Sequence, residues 1–70
     1  MENKPLNALK RAIKIAGGQQ KLAEKLGNIS QQTVSGWMKK GVPPHRAVEI
    51  EKATDVSRTE IRPDIFLIKD

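Results

Sequence analysis

The chain has no cysteine among its 70 residues, which excludes disulfide staples and thiolate zinc sites, the usual supports of very small domains. Helix packing, helped by dimerisation, must then supply the stability. A lone histidine, His45, makes no metal site by itself, so neither metal nor cofactor is expected. The chain also lacks an apolar leader at its N-terminus and any uninterrupted apolar run of membrane-spanning length. A soluble, cytoplasmic protein without a membrane partner is the expectation.

Acidic residues are nearly missing from the N-terminal two-thirds. Between Asn3 and Val48, nine basic residues (Lys4, Lys10, Arg11, Lys14, Lys21, Lys25, Lys39, Lys40 and Arg46) face Glu24 as the only acid, a segment charge of +8. From Glu49 to Asp70 the balance is −2, and the whole chain carries +5. A field polarised in this way favours a polyanion at the basic segment, because phosphate contacts release condensed counterions. A basic surface kept for solubility explains the charge alone equally well.

Seventy residues suit one domain with one core, and no repeat, low-complexity segment or linker divides residues 1–70. Helix is the recurring signal. Leu6, Leu9, Ile13 and Ala16 recur at helical spacing from Pro5 to Ala16, with Ala8, Ala12 and Ile15 widening that face. Gly17 and Gly18 stop this helix. A short second helix from about Gln19 to Leu26 buries Leu22, Ala23 and Leu26 and ends at Gly27. Ser30 is a good N-cap for a third helix through about Lys40, because its hydroxyl can accept from a free first-turn amide.

Within the third helix, Val34, Trp37 and Met38 form the expected buried stripe. Gly36 costs that helix roughly 1 kcal/mol relative to alanine, which makes sense if something must approach the backbone closely. Gly41 closes it. Val42-Pro43-Pro44 is a stiff turn whose second proline suits the first turn of a fourth helix, about Pro44 to Thr54, with Ala47, Ile50 and Thr54 on one face. Ser57 or Asp55 can cap a short fifth helix near Arg58 to Ile61, before Pro63. The tail, about residues 63–70, carries the apolar run Ile65-Phe66-Leu67-Ile68 and is expected to be extended. The fold class is therefore all-α, a small five-helix bundle.

The two short helices spanning about residues 19–40 have the features of a helix-turn-helix. Alanine on the first lets the second approach, glycine permits the sharp turn, and an aliphatic residue on the second locks the angle. Ala23, Gly27 and Val34 fit these roles, and Trp37 anchors the second helix in the core. Gln31, Gln32, Thr33, Ser35, Gly36 and Lys39 are left facing outward. Short polar and amide side chains of this kind read base edges in the major groove. In isolation the two glutamines read better as ordinary solvated helix residues, and only the motif around them favours contact with DNA. An enzyme finds no support, since Ser30, Ser35 and Ser57 lack a histidine-carboxylate partner set and no small-molecule substrate has room.

The runs Gln19-Gln20-Lys21-Leu22-Ala23-Glu24-Lys25-Leu26-Gly27 and Ser30-Gln31-Gln32-Thr33-Val34-Ser35-Gly36-Trp37 resemble the Cro and C1-type helix-turn-helix of lambdoid phage regulators. The continuation through Gly41-Val42-Pro43-Pro44-His45-Arg46 and Ile50-Glu51-Lys52-Ala53-Thr54 resembles the prophage Cro-like group that includes YdaS-like antitoxins. The resemblance covers about Ala8 to Phe66 and implies a lambda-repressor-like DNA-binding domain in a bacterial or phage-infected cell, associated with the nucleoid. One departure lies in the turn, where Asn28 looks like an extra residue between glycine and aliphatic lock.

By this resemblance Gln31, Gln32, Thr33 and Ser35 are base-contact candidates. Gln19, Gln20, Lys39, Lys40 and Arg46 are phosphate candidates, Gln19 at a helix N-terminus that favours an anion. Phe66, Leu67 and Ile68 are candidates for a dimer interface. The implied function is a sequence-specific transcription regulator, a repressor bound as a homodimer, at least on DNA, to an inverted-repeat operator. The alternative is an antitoxin-type protein that binds a partner protein as well as its own promoter.

Overall fold

Capping chemistry divides the chain. The computed structural model describes residues 4–66, and among these the helices are α1 (Lys4–Ala16), α2 (Gln19–Lys25), α3 (Gln31–Lys40), α4 (Pro44–Thr54) and α5 (Arg58–Ile61), with no strand. The Ser30 hydroxyl accepts from the Thr33 amide at 3.1 Å and starts α3. Pro43 precedes α4 and Pro44 fills its first turn, where a missing N–H costs nothing. The Ser57 hydroxyl accepts from the Thr59 amide at 3.2 Å and starts α5. Asp55, the other cap considered for α5, instead ends α4 in the left-handed region at φ 64°.

The turn between α2 and α3 places two successive residues at positive φ, Gly27 at 103° and Asn28 at 61°. Glycine meets no Cβ penalty there, and asparagine is among the few side chains that enter this region readily. The amides of Gly27 and Asn28 both donate to the Glu24 carbonyl at 3.3 Å, and the Ile29 amide donates to the Ala23 carbonyl at 3.2 Å. The end of α2 is thereby satisfied, and Ile29, the residue before the Ser30 cap, packs half-buried against the core.

The core draws on every helix: Ala8, Leu9 and Ala12 of α1, Leu22 and Ala23 of α2, Val34 and Trp37 of α3, Ala47 and Ile50 of α4, and Ile61 of α5. Leu9, Leu22, Ile50 and Ile61 are almost fully buried, each worth about 1.5–3 kcal/mol of transfer free energy. Helix α1 packs on α2, α4 and α5, while α3 leans chiefly on α2. Small alanines on α1 and α2 permit this close approach. Thr54 is the one buried polar residue among the described residues, and its hydroxyl donates to the Ile50 carbonyl at 2.8 Å and accepts from the Val56 amide at 3.3 Å.

Several details differ from the pattern read in the sequence, and Met38, expected in the buried stripe of α3, is only half-buried against the core. Ile15 is 56% exposed, because periodicity gives a direction around a helix but not whether a neighbour reaches far enough to cover that turn. Leu6, Ile13 and Ala16 are half-buried, and the buried arc of α1 centres on the two alanines and Leu9. The start of the tail is not extended: the Ile65 and Phe66 amides both donate to the Arg62 carbonyl, at 3.1 and 2.9 Å, so residues 63–66 turn back. Phe66 packs against the core with the Arg58 guanidinium 5.3 Å from its ring centroid. Leu67 and Ile68 lie outside the described residues.

Candidate nucleic-acid interface

Helix α3 turns Val34 and Trp37 inward and leaves Gln31, Gln32, Thr33, Ser35, Lys39 and Lys40 exposed. Trp37, 7% exposed, is a core anchor, which removes its indole from any stacking role on bases. The motif positions Ala23 and Val34 are both buried. Gly27 stands at the tip of the turn, where its φ of 103° is one that L side chains rarely adopt.

Two residues given separate roles in the sequence are tied together. The Ser35 hydroxyl donates to Gln19 Oε1 at 2.6 Å, and Gln19 Nε2 lies 3.4 Å from Met38 Sδ. Gln19, first residue of α2, thus fastens that helix to the outer side of α3. Its amide nitrogen keeps a second proton at the start of α2, beside the first-turn backbone N–H groups that a helix leaves without an intrahelical acceptor. Gln20 is exposed beside it. Thr33 has its hydroxyl 3.4 Å from Ser30 Oγ, so its side chain is drawn toward the cap while remaining exposed.

The basic residues separate by type. All four arginines are engaged with carboxylates: Arg11 with Glu60, Arg46 with Glu49, Arg58 with Glu51 and Arg62 with Asp64. Arg46 also donates from Nη1 to the Leu26 carbonyl at 3.2 Å, joining the start of α4 to the end of α2. Its cation is therefore partly neutralised, unlike those of the other phosphate candidates. Arg62 donates to the Val42 carbonyl at 2.6 Å and makes a bidentate pair with Asp64 at 3.0 and 2.8 Å. Hydrogen bonding from Arg62 holds the Asp64 carboxyl below the ordinary carboxylate range, and the same bonds raise the guanidinium above its usual value.

Lysines behave otherwise. Lys4, Lys10, Lys14, Lys21, Lys25, Lys39 and Lys40 are exposed and take part in none of the ion pairs among the described residues. Lys14, Lys25, Lys39 and Lys40 sit in last turns of helices, where a cation is favoured by the dipole. The sequence counted all basic residues of the first 48 alike; acids placed later in the chain neutralise two of them, Arg11 and Arg46. Lys10, Lys14, Lys21 and Lys25 remain as free charges that motif reasoning did not single out. Among the described residues no three His, Cys, Asp or Glu side chains gather as metal ligands would, and no helix is long and apolar enough to cross a membrane.

Residues 9–69 match the model of a family described as bacterial toxin YdaS. The chain belongs to that family. The YdaS match takes in α2, the turn, α3, α4 and α5 together with most of α1, so the paired glutamine and serine and the exposed face of α3 all lie inside it. No curated protein and no solved structure matches the chain.

Proposed function

We propose that the protein is a sequence-specific DNA-binding transcription regulator, a Cro-like repressor acting in the bacterial cytoplasm on a palindromic operator. One observation carries this reading. Helix α3 buries only Val34 and Trp37 and leaves a continuous polar face of Gln31, Gln32, Thr33, Ser35 and Lys39 exposed, on a domain whose lysines among the described residues take part in no ion pair.

The mechanism is binding rather than catalysis. Free lysines attract duplex DNA without regard to sequence. The start of α2, with Gln19 and Gln20, meets a phosphate and sets the register, while Lys39 and Lys40 hold the backbone at the other end of α3. Gln31 and Gln32 then reach base edges, a glutamine amide bonding N6 and N7 of adenine together, and Thr33 and Ser35 meet a base edge or a thymine methyl. Two copies place their α3 helices in successive major grooves, roughly 34 Å apart, with the Phe66-Leu67-Ile68 strip as the candidate dimer contact. Bound there, they obstruct polymerase.

Selection of bound sites from random duplex DNA tests this. The expected result is an inverted repeat with half-sites about one helical turn apart, and recovery of no consensus would sink the proposal.

A second reading is favoured by the family's description as a toxin: the chain acts through, or is neutralised by, a partner protein. Expression of Gln32→Ala in a bacterial host separates the two. Growth inhibition that disappears with this variant follows from DNA reading, and growth inhibition that persists points to a protein target.

A further inference from the structure

Gly36 lies inside α3 with helical backbone, apart from the glycines that occupy positive φ. A Cβ built on it would meet nothing within 4 Å. Neither conformation nor packing within the chain therefore calls for glycine, and alanine would fit and favour the helix. Four exposed side chains surround the position at helical-neighbour spacing: Gln32 and Thr33 before it, Lys39 and Lys40 after it. The result is a bare patch of backbone framed by longer polar and cationic side chains.

We infer that Gly36 is a specificity-determining residue, the point at which α3 comes so close to base-pair edges on the floor of the major groove that no Cβ is admitted. This rests on the DNA-binding reading above and deepens it. Gln32 on one side and Lys39 on the other straddle the close approach, the first reaching along the base edges and the second toward the backbone. A side chain at residue 36 would lift the helix and weaken both contacts. The effect belongs to the matched sequence, because random duplex is held by phosphate attraction that does not require α3 to seat fully.

The test uses the full chain, Gly36→Ala and Gly36→Leu, with thermal unfolding measured beside fluorescence anisotropy on two duplexes. One duplex is the site selected by the wild type; the other is random DNA of equal length at low salt. Gly36→Ala should melt about 4–8 °C higher than wild type, which certifies the fold, yet bind the selected duplex about tenfold or more weakly. Gly36→Leu should lose more, and random duplex should be bound unchanged by both. Wild-type affinity for the selected site in both variants would overturn the inference while leaving DNA reading intact. An equal loss on both duplexes would put Gly36 against phosphates and overturn the base-edge assignment. If the wild type itself selects no sequence, DNA reading fails first and this inference with it.

Discussion

The lysines and the arginines carry the same charge and have been put to different use. Arginines are spent within the fold, each on a carboxylate and two of them also on a backbone carbonyl, Leu26 for Arg46 and Val42 for Arg62. The planar guanidinium suits such several-pronged fixing, and the compact ammonium of lysine does not. The lysines from Lys4 to Lys40 are left exposed and unpaired among the described residues. The acidic C-terminal third thus supplies the carboxylates that pair with the arginines, and the lysine charge of the basic N-terminal part has no ion-pair partner among the described residues. Net charge by segment would not have revealed this division.

Removing Lys39 and Lys40 together should have the largest effect. Binding to any duplex should fall by the order of a hundredfold, and the slope of log K against log salt should shrink by about two units. Unfolding in urea should change by no more than about 0.5 kcal/mol. Arg46→Ala is the converse case, with stability falling by about 1–2 kcal/mol through loss of the Leu26 and Glu49 bonds and the salt slope unaltered. A slope reduced by one unit with stability intact would return Arg46 to the phosphate contacts and end the division by residue type.

Ser30→Ala should lower stability by about 1 kcal/mol by removing the α3 cap, measured by urea unfolding. Since this cap orients the first turn of α3, specific binding should weaken more than non-specific binding. Asp64 gives the smallest effect. Its carboxyl titrates below the ordinary range in the folded chain because Arg62 bonds to it, so its stabilising contribution is complete above the unfolded carboxylate pKa. That contribution is lost as pH falls through the folded value. Replacing Asp64 by Asn should therefore flatten the acid limb of a stability–pH profile, and an unchanged limb would show that the pair contributes nothing.

Much of the fold was legible because the helix boundaries are written in local chemistry. Ser30, Pro44, Ser57 and Gly41 each act where capping rules place them. Ala23, Val34 and Trp37 were readable as core since they alternate with polar residues at helical spacing. Val42 and Val56, both almost fully buried in connecting segments, carried no such periodic signal, and a single valine in a loop looks the same whether it is covered or not. The bond between Gln19 and Ser35 spans sixteen residues and two helices, so no local pattern contains it. The arginine pairs were hidden for the same reason: Arg11 meets Glu60 only after α1 and α5 have packed together. Asn28 stood out in the turn as a departure from the helix-turn-helix sequences that the chain resembles, but its positive φ next to that of Gly27 is a conformation that no local pattern spells out.

The exposed face of α3 as a reader of base sequence is tested most directly by Gln32→Ala, titrated against the selected site and against random duplex across a range of salt. Affinity for the selected site should fall by about 1–3 kcal/mol, with preference relaxed at one or two base pairs and the salt slope unchanged. Binding indistinguishable from wild type on both duplexes would contradict it.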